Sequence, residues 1–315
     1  MDLTITLYRL NIVILLFNCS IKQGGIELKK TNIKGMLSLV LIMGVILTGC
    51  VGQPAPAEPA KEAEKQSITI NGSTSVQPLA EELASTFKAK NQNATIDIQS
   101  GGSGVGIKSA IDGVVDIGMS SRELKTEEKT LKEFKIATDG IGVILHPENS
   151  VNDLTIEQLR KIYTGEITNW KDVGGKDSNI TVVTREEGSG TRGAFIELTG
   201  LEVKEGDKKV DKTLASAITQ GSTGAVMTTV AGDANAIGYA SFGSAKDKTD
   251  IKLISVGGVA CSEENIYAGS YKISRPFLML TKEEPTGLVK DFLDFILSAE
   301  GQNIVAENSY LKAAK

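Results

Sequence analysis

Arg185-Glu186-Glu187-Gly188-Ser189-Gly190-Thr191-Arg192 sets a guanidinium, two small hydroxyls and backbone amides freed by glycine within eight residues. These groups donate hydrogen bonds, so the chemistry open to them together is to hold an oxyanion. The β-branched run Ile180–Thr184 precedes the octapeptide and the apolar-periodic Ala194-Phe195-Ile196-Glu197-Leu198 follows it, which predicts strand, tight loop and helix start. The first N–H groups of a helix have no partner inside it and carry the positive end of its dipole. Gly-Ser-Gly-Thr is also ordinary turn and cap chemistry, so the octapeptide alone decides nothing.

Three further segments repeat the construction. A predicted strand over Ser67–Ile70 runs into Asn71-Gly72-Ser73-Thr74-Ser75 and then a helix from about Pro78, with Leu79, Leu83 and Phe87 along one face. A strand over Thr95–Ile98 runs into Ser100-Gly101-Gly102-Ser103-Gly104-Val105-Gly106 and a helix from Ile107, and one over Val114–Met119 runs into Ser120-Ser121-Arg122-Glu123. Strand and helix signals that alternate predict an α/β fold with largely parallel sheets. In such sheets ligands gather outside the carboxyl ends of the strands, so the four hydroxyl-bearing loops point to one shared anion site. Ile141–Leu145 runs apolar, Ala236–Ala240 and Arg275–Thr281 read as strands, and Ile156–Tyr163 and Leu288–Leu297 as helices. The simplest topology builds a first lobe from both chain ends (67–142 and 241–315) and a second from the middle (143–240). Crossings near 140–146 and 236–244 join them, with the ligand in the cleft.

Composition permits such a site and removes others. A chain of 315 residues, 41% hydrophobic and 23% charged, suffices for two compact domains. His146 is the single histidine and the three cysteines are scattered, so a Ser-His-Asp hydrolase, a metal cluster or a cofactor is not expected. Residues 1–49 read as leader: Met36–Leu47 is an apolar run behind Lys29, Lys30 and Lys34, ending in Leu47-Thr48-Gly49-Cys50. That tetrapeptide resembles the bacterial lipobox, whose cysteine is lipidated and becomes the mature N-terminus. The run is shorter than the roughly 20 residues of a transmembrane helix. Leu3–Phe17 is a second apolar stretch, and translation is expected to begin near Leu28, the alternative being a genuinely long leader. Residues 50–66 form a Pro/Ala/Glu tether, after which Cys261 is the last thiol. Removing residues 1–49 takes away five basic and two acidic side chains and moves the formal charge from −5 to −8, which argues against nucleic acid.

Taken together, Gly72-Ser73-Thr74-Ser75-Val76-Gln77-Pro78-Leu79, Gly102-Ser103-Gly104, Asp116-Ile117-Gly118-Met119-Ser120-Ser121-Arg122 and the octapeptide resemble the phosphate-binding lipoproteins of ABC-type phosphate importers, the PstS-like family. The resemblance spans Ser67 to the C-terminus. It implies a two-lobed periplasmic-binding-protein-like fold of class II that closes over one dehydrated phosphate. Thr74, Ser75, Ser103 and Ser121 would donate from one lobe, and Arg185, Ser189, Gly190 and Thr191 from the other. The family further implies a non-enzymatic monomer, lipid-anchored through Cys50 at the outer face of the cytoplasmic membrane, which delivers phosphate to transmembrane permease subunits.

One departure bears on selectivity. Some members carry an aspartate where this chain has Ser121, and that carboxylate accepts the phosphate proton that sulfate lacks. Asp139, in Thr138-Asp139-Gly140, is the best substitute and would face the cleft; the other reading is a turn aspartate. Glu187 either steadies Arg185 or is solvated, and Arg122 and Arg192 either line the rim or pair with Glu123 and Glu197. The competing functions are capture of sulfate, molybdate or tungstate, an enzyme acting on phosphate esters, and an extracellular sensor or adhesion module.

Overall fold

The computed structural model describes residues 66–206 and 208–313. The expectations for the leader, Cys50 and most of the tether lie outside these residues. Strand β1 (Gln66–Gly72) leads into helix α1 (Gln77–Lys90), β2 (Ala94–Ser100) into α2 (Ser103–Asp112), and β3 (Ile117–Ser120) into a 3₁₀ turn over Thr126–Glu128. The long β4 (Lys132–Leu145) follows, then α3 (Ile156–Thr164), β5 (Thr181–Arg185), α4 (Gly190–Leu198), β6 (Ile218–Gln220), α5 (Thr223–Ala231) and β7 (Ala236–Ser241). Strand β8 (Ser274–Thr281) and helices α6 (Gly287–Leu297) and α7 (Ala299–Glu307) complete the framework.

The strands lie in the order β2-β1-β3-β8-β4-β7-β5-β6. Pairing is parallel within β2-β1-β3 and within β7-β5-β6, and antiparallel where β8 and β4 come between. β4 serves both halves: Lys132–Gly140 pair with β8, and Ile141–Leu145 pair with β7. The fold is thus two-lobed α/β, with the carboxyl ends of β1, β2, β3, β5 and β6 opening into loops.

Two sets of packed apolar side chains sit on either side of this junction. Leu79, Leu83 and Phe87, spaced to fall on one face of α1, are buried against Ile70, Met119 and Phe292. The other set gathers Ile141, Val143, Phe195, Ile237 and Tyr239, and includes Phe242, Ile254, Ile266 and Ile273. Residues 242–273 therefore pack with the middle of the chain, and β8 is the segment that returns to the first core.

Local differences from expectation have local causes. The strand expected over Val114–Met119 begins at Ile117, because Gly113 ends α2 in the left-handed region (φ 72°) and Val114 lies 73% exposed. Helix α2 starts at Ser103 rather than Ile107. Its N-cap is Gly102 at φ 88°, and the small residues after it carry no apolar periodicity to mark the turn.

Candidate functional site

Five strand ends supply the hydroxyls. Ser73, Ser75, Ser103, Ser121, Ser189, Thr191 and Thr223 are all buried, with Thr74 partly so. Ser73 Oγ accepts the N–H groups of Ser75 (3.3 Å) and Val76 (3.4 Å), which obliges it to donate to Ser121 Oγ at 2.9 Å. Ser121 N–H donates to Ser103 Oγ at 3.0 Å, and the two hydroxyls lie 3.3 Å apart. Across the cleft, Ser75 Oγ is 2.9 Å from Thr191 Oγ1 and 2.8 Å from Thr223 Oγ1. Ser189 caps α4 by accepting Arg192 N–H at 3.2 Å. The loops interlock: Gly104 N–H donates to Gly188 C=O at 2.9 Å. Gly102 is required there, since a Cβ would lie 3.0 Å from Glu186 Oε1 and 3.1 Å from Gly188 O, on a backbone at φ 88°.

Arg185 supplies the charge and is 1% exposed. Its Nε–H goes to Glu186 Oε2 (2.8 Å) and the Gln220 carbonyl (3.2 Å), an Nη2–H to Glu186 Oε1 (2.7 Å), and an Nη1–H to Thr223 Oγ1 (3.2 Å). A guanidinium carries five N–H groups. One on each terminal nitrogen is therefore left without a partner among the described residues, and a guanidinium can set two such groups on one oxyanion. The backbone of Arg185 is fixed from below, its N–H donating to Tyr239 Oη at 3.2 Å, with Phe195 stacked on the tyrosine ring at 4.1 Å. Burial pushes the Tyr239 phenol up to about 12, so it stays neutral beneath the charged site.

The surrounding charges differ from expectation. Glu186, not Glu187, grips the guanidinium, because the loop turns its carboxylate onto the Nε/Nη2 edge. Arg122 pairs with Glu128 at 2.7 Å rather than with Glu123, whose carbonyl it also meets. Arg192 pairs with Asp211 at 2.7 Å rather than Glu197, and donates to the Arg185 carbonyl at 2.7 Å. The Ser120–Glu123 loop opens no α-helix. The fourth α-helical start belongs to α5, whose Thr223 the sequence reading missed.

A family model described as PBP superfamily domain matches residues 57–300. The phosphate-binding protein PstS of Bacillus subtilis is 35% identical over 294 residues, 88% of this chain and 94% of that protein. The chain belongs to the PstS family. The PstS of Borreliella burgdorferi is 31% identical over 249 residues, 78% of this chain and 89% of its own length. Among solved structures, one from Clostridium perfringens, described as a phosphate ABC transporter substrate-binding protein with bound phosphate, is 46% identical. It superposes with a TM-score of 0.74, covering 79% of this chain and all of that one.

Asp139 does not join the hydroxyl cluster of this PstS-family chain. It is buried in an ion pair with Arg275 (2.9 Å) and accepts the Gly243 amide at 3.4 Å. Burial raises the Asp139 carboxyl and lowers the Arg275 guanidinium, while their attraction opposes both shifts. Among the described residues no hydrogen bond links Asp139 to Thr74, Ser75, Ser103 or Ser121. Nor do these residues hold a metal-binding cluster or a helix long and apolar enough to cross a membrane.

Proposed function

We propose that this chain captures inorganic phosphate between its lobes, outside the cytoplasmic membrane, and hands it to the permease of an ABC importer. The observation that carries the reading is the convergence of five strand-end loops on Arg185, whose two remaining N–H groups match one oxyanion. Thr74, Ser75, Ser103, Ser121, Arg185, Ser189, Gly190 and Thr191 form the cage, and no group in it is a nucleophile with a base, so the protein binds rather than converts its ligand. Micromolar affinity corresponds to about −8 kcal/mol, and hydrogen bonds to charged groups contribute roughly 1.5–3 kcal/mol each, so such a cage suffices. The protein acts as a monomer tethered by a lipid on Cys50, and Cys50→Ser should release it from membranes.

A second oxyanion is favoured by one observation: Asp139 is committed to Arg275, which keeps that carboxylate from accepting a ligand proton in the cage. Calorimetric titration of the purified protein with phosphate, arsenate, sulfate and molybdate separates the two readings. Phosphate should bind and Arg185→Ala should weaken it at least a hundredfold. Heat from molybdate or sulfate but none from phosphate would overturn the first reading.

A further inference from the structure

We propose that Thr223, the first residue of α5, is a positioning residue for the oxyanion site. Its hydroxyl holds Arg185 in aim and ties the loop between β1 and α1 to the opposite lobe. The proposal rests on the phosphate reading above and adds to it a residue from a fifth loop.

The placement of Thr223 is built. Ser222 caps α5 by accepting the Ala225 amide at 3.0 Å, which sets Thr223 at the first helical position, 3% exposed. Thr223 N–H donates to Thr74 Oγ1 at 3.2 Å. Its own Oγ1 lies 3.2 Å from Thr74 Oγ1, 2.8 Å from Ser75 Oγ and 3.2 Å from Arg185 Nη1.

Direction follows from chemistry. A guanidinium only donates, so the Thr223 oxygen accepts from Arg185 and keeps one proton and one lone pair for its contacts with Ser75 and Thr74. Ser75 Oγ in turn reaches Thr191 Oγ1 at 2.9 Å. Arg185 is thus linked through Thr223 to the first-lobe loop by a chain of hydroxyls that bridges the two lobes. Among the described residues Thr223 is the sole partner of Arg185 Nη1; Glu186 holds the other edge. Without Thr223 the guanidinium can pivot about the Glu186 edge, and its two ligand-facing N–H groups lose their fixed aim. A hydroxyl at this position therefore acts on affinity through Arg185, and serine should supply it as well as threonine.

Calorimetry with inorganic phosphate on wild type, Thr223→Val, Thr223→Ser and Thr223→Ala tests this, with ligand-free melting measured alongside. Thr223→Val should raise Kd by roughly tenfold to a hundredfold, the range for a lost hydrogen bond to a charged group. Thr223→Ser should stay within about threefold of wild type, a rescue that a purely packing role would not give. In a double-mutant cycle, Arg185→Lys and Thr223→Val should be less than additive, since both disturb one contact. If the valine variant fails to fold, Thr223→Ala is read in its place. Valine or alanine binding within threefold of wild type, serine as weak as valine, or full additivity with Arg185→Lys would overturn the proposal and leave phosphate capture standing. A wild-type protein that binds neither phosphate nor arsenate would overturn both.

Discussion

Gly190→Ala tests whether the lobes close as described. Gly190 opens α4 directly after its serine cap, and an added Cβ would lie 2.3 Å from Ser103 Oγ, 2.8 Å from Ser121 Oγ and 2.9 Å from Ser103 Cβ. Ser103 cannot turn aside, since it is fully buried and its oxygen holds the Ser121 amide at 3.0 Å. Ordinary contact begins at 3.4 Å, so the facing loops must separate by about 1 Å. The Gly104–Gly188 and Ser75–Thr191 hydrogen bonds, both 2.9 Å, would then be stretched past hydrogen-bonding range. If the bound oxyanion loses two hydrogen bonds from one lobe, at roughly 1.5–3 kcal/mol each, Kd rises more than about a hundredfold. Gly190 is the first residue of α4 rather than an interior one, so the exchange for alanine changes the stability of the helix itself little. Calorimetry and melting curves, each with and without phosphate, should therefore show binding lost while the ligand-free melting temperature changes little. Binding within threefold of wild type would mean that the Gly190–Ser103 contact is absent from the liganded state.

Other expectations concern charge and burial. Asp139→Asn leaves Arg275 buried without its counter-charge and should lower stability in denaturant melts by about 3 kcal/mol or more; its phosphate-to-sulfate preference, measured by calorimetry, should not change. Burial alone would raise the Glu128 carboxyl, but hydrogen bonds from Arg122 and the Lys125 amide hold it below 4.5. Its folded value lies below its unfolded one, so its contribution is present above about pH 4.5 and lost as pH falls through the folded value; the stability gap between wild type and Glu128→Gln should close there. Burial pushes the Cys261 thiol up to about 12, so thiol reagents near pH 8 should react only as fast as the fold opens, a rate that follows denaturant. In competition calorimetry sulfate should displace phosphate at less than about a hundredfold excess, and phosphate should bind more tightly as pH rises through its second ionisation.

The framework was readable where periodicity and caps coincide. Leu79, Leu83 and Phe87 recur every fourth residue behind Pro78, and α1 follows; Arg275–Thr281 is a continuous apolar run, and β8 is buried on both faces. Thr223 escaped because the strand before it, β6, is three residues long with Ile218 exposed, too short for an alternating pattern. Its signal was nonetheless present: Gly221-Ser222-Thr223 repeats Gly72-Ser73-Thr74. The Asp139–Arg275 pair joins residues 136 apart, and the Arg192–Asp211 pair joins α4 to the Glu202–Glu205/Lys208–Asp211 hairpin. Nearby glutamates at positions 123, 187 and 197 were the natural guesses, since local spacing cannot reveal partners that register and hairpin geometry bring in.

The hydroxyl network explains why phosphate and sulfate should be separated only narrowly, since a ligand proton would have to be met by a hydroxyl rather than by a carboxylate at the Ser121 position. From one side, the Ser75 and Val76 amides oblige Ser73 to donate to Ser121, so the Ser121 proton is turned outward to Ser103 or the ligand. From the other, Thr223 accepts from Arg185 and meets Ser75 and Thr74 with its remaining proton and lone pair. Both chains start from groups that can only donate. A carboxylate at the Ser121 position would break the first chain by supplying an acceptor; serine continues it. Negative charge on the oxyanion can therefore be met by N–H and O–H donors, whereas a proton on the ligand needs one hydroxyl turned to accept it. The Asp139 carboxylate cannot relieve this, because its oxygens are taken by Arg275 and the Gly243 amide. Selection of phosphate by this cage consequently runs through its dianion, whose charge equals that of sulfate, and the margin between the two is set by how readily one hydroxyl rotor can be turned.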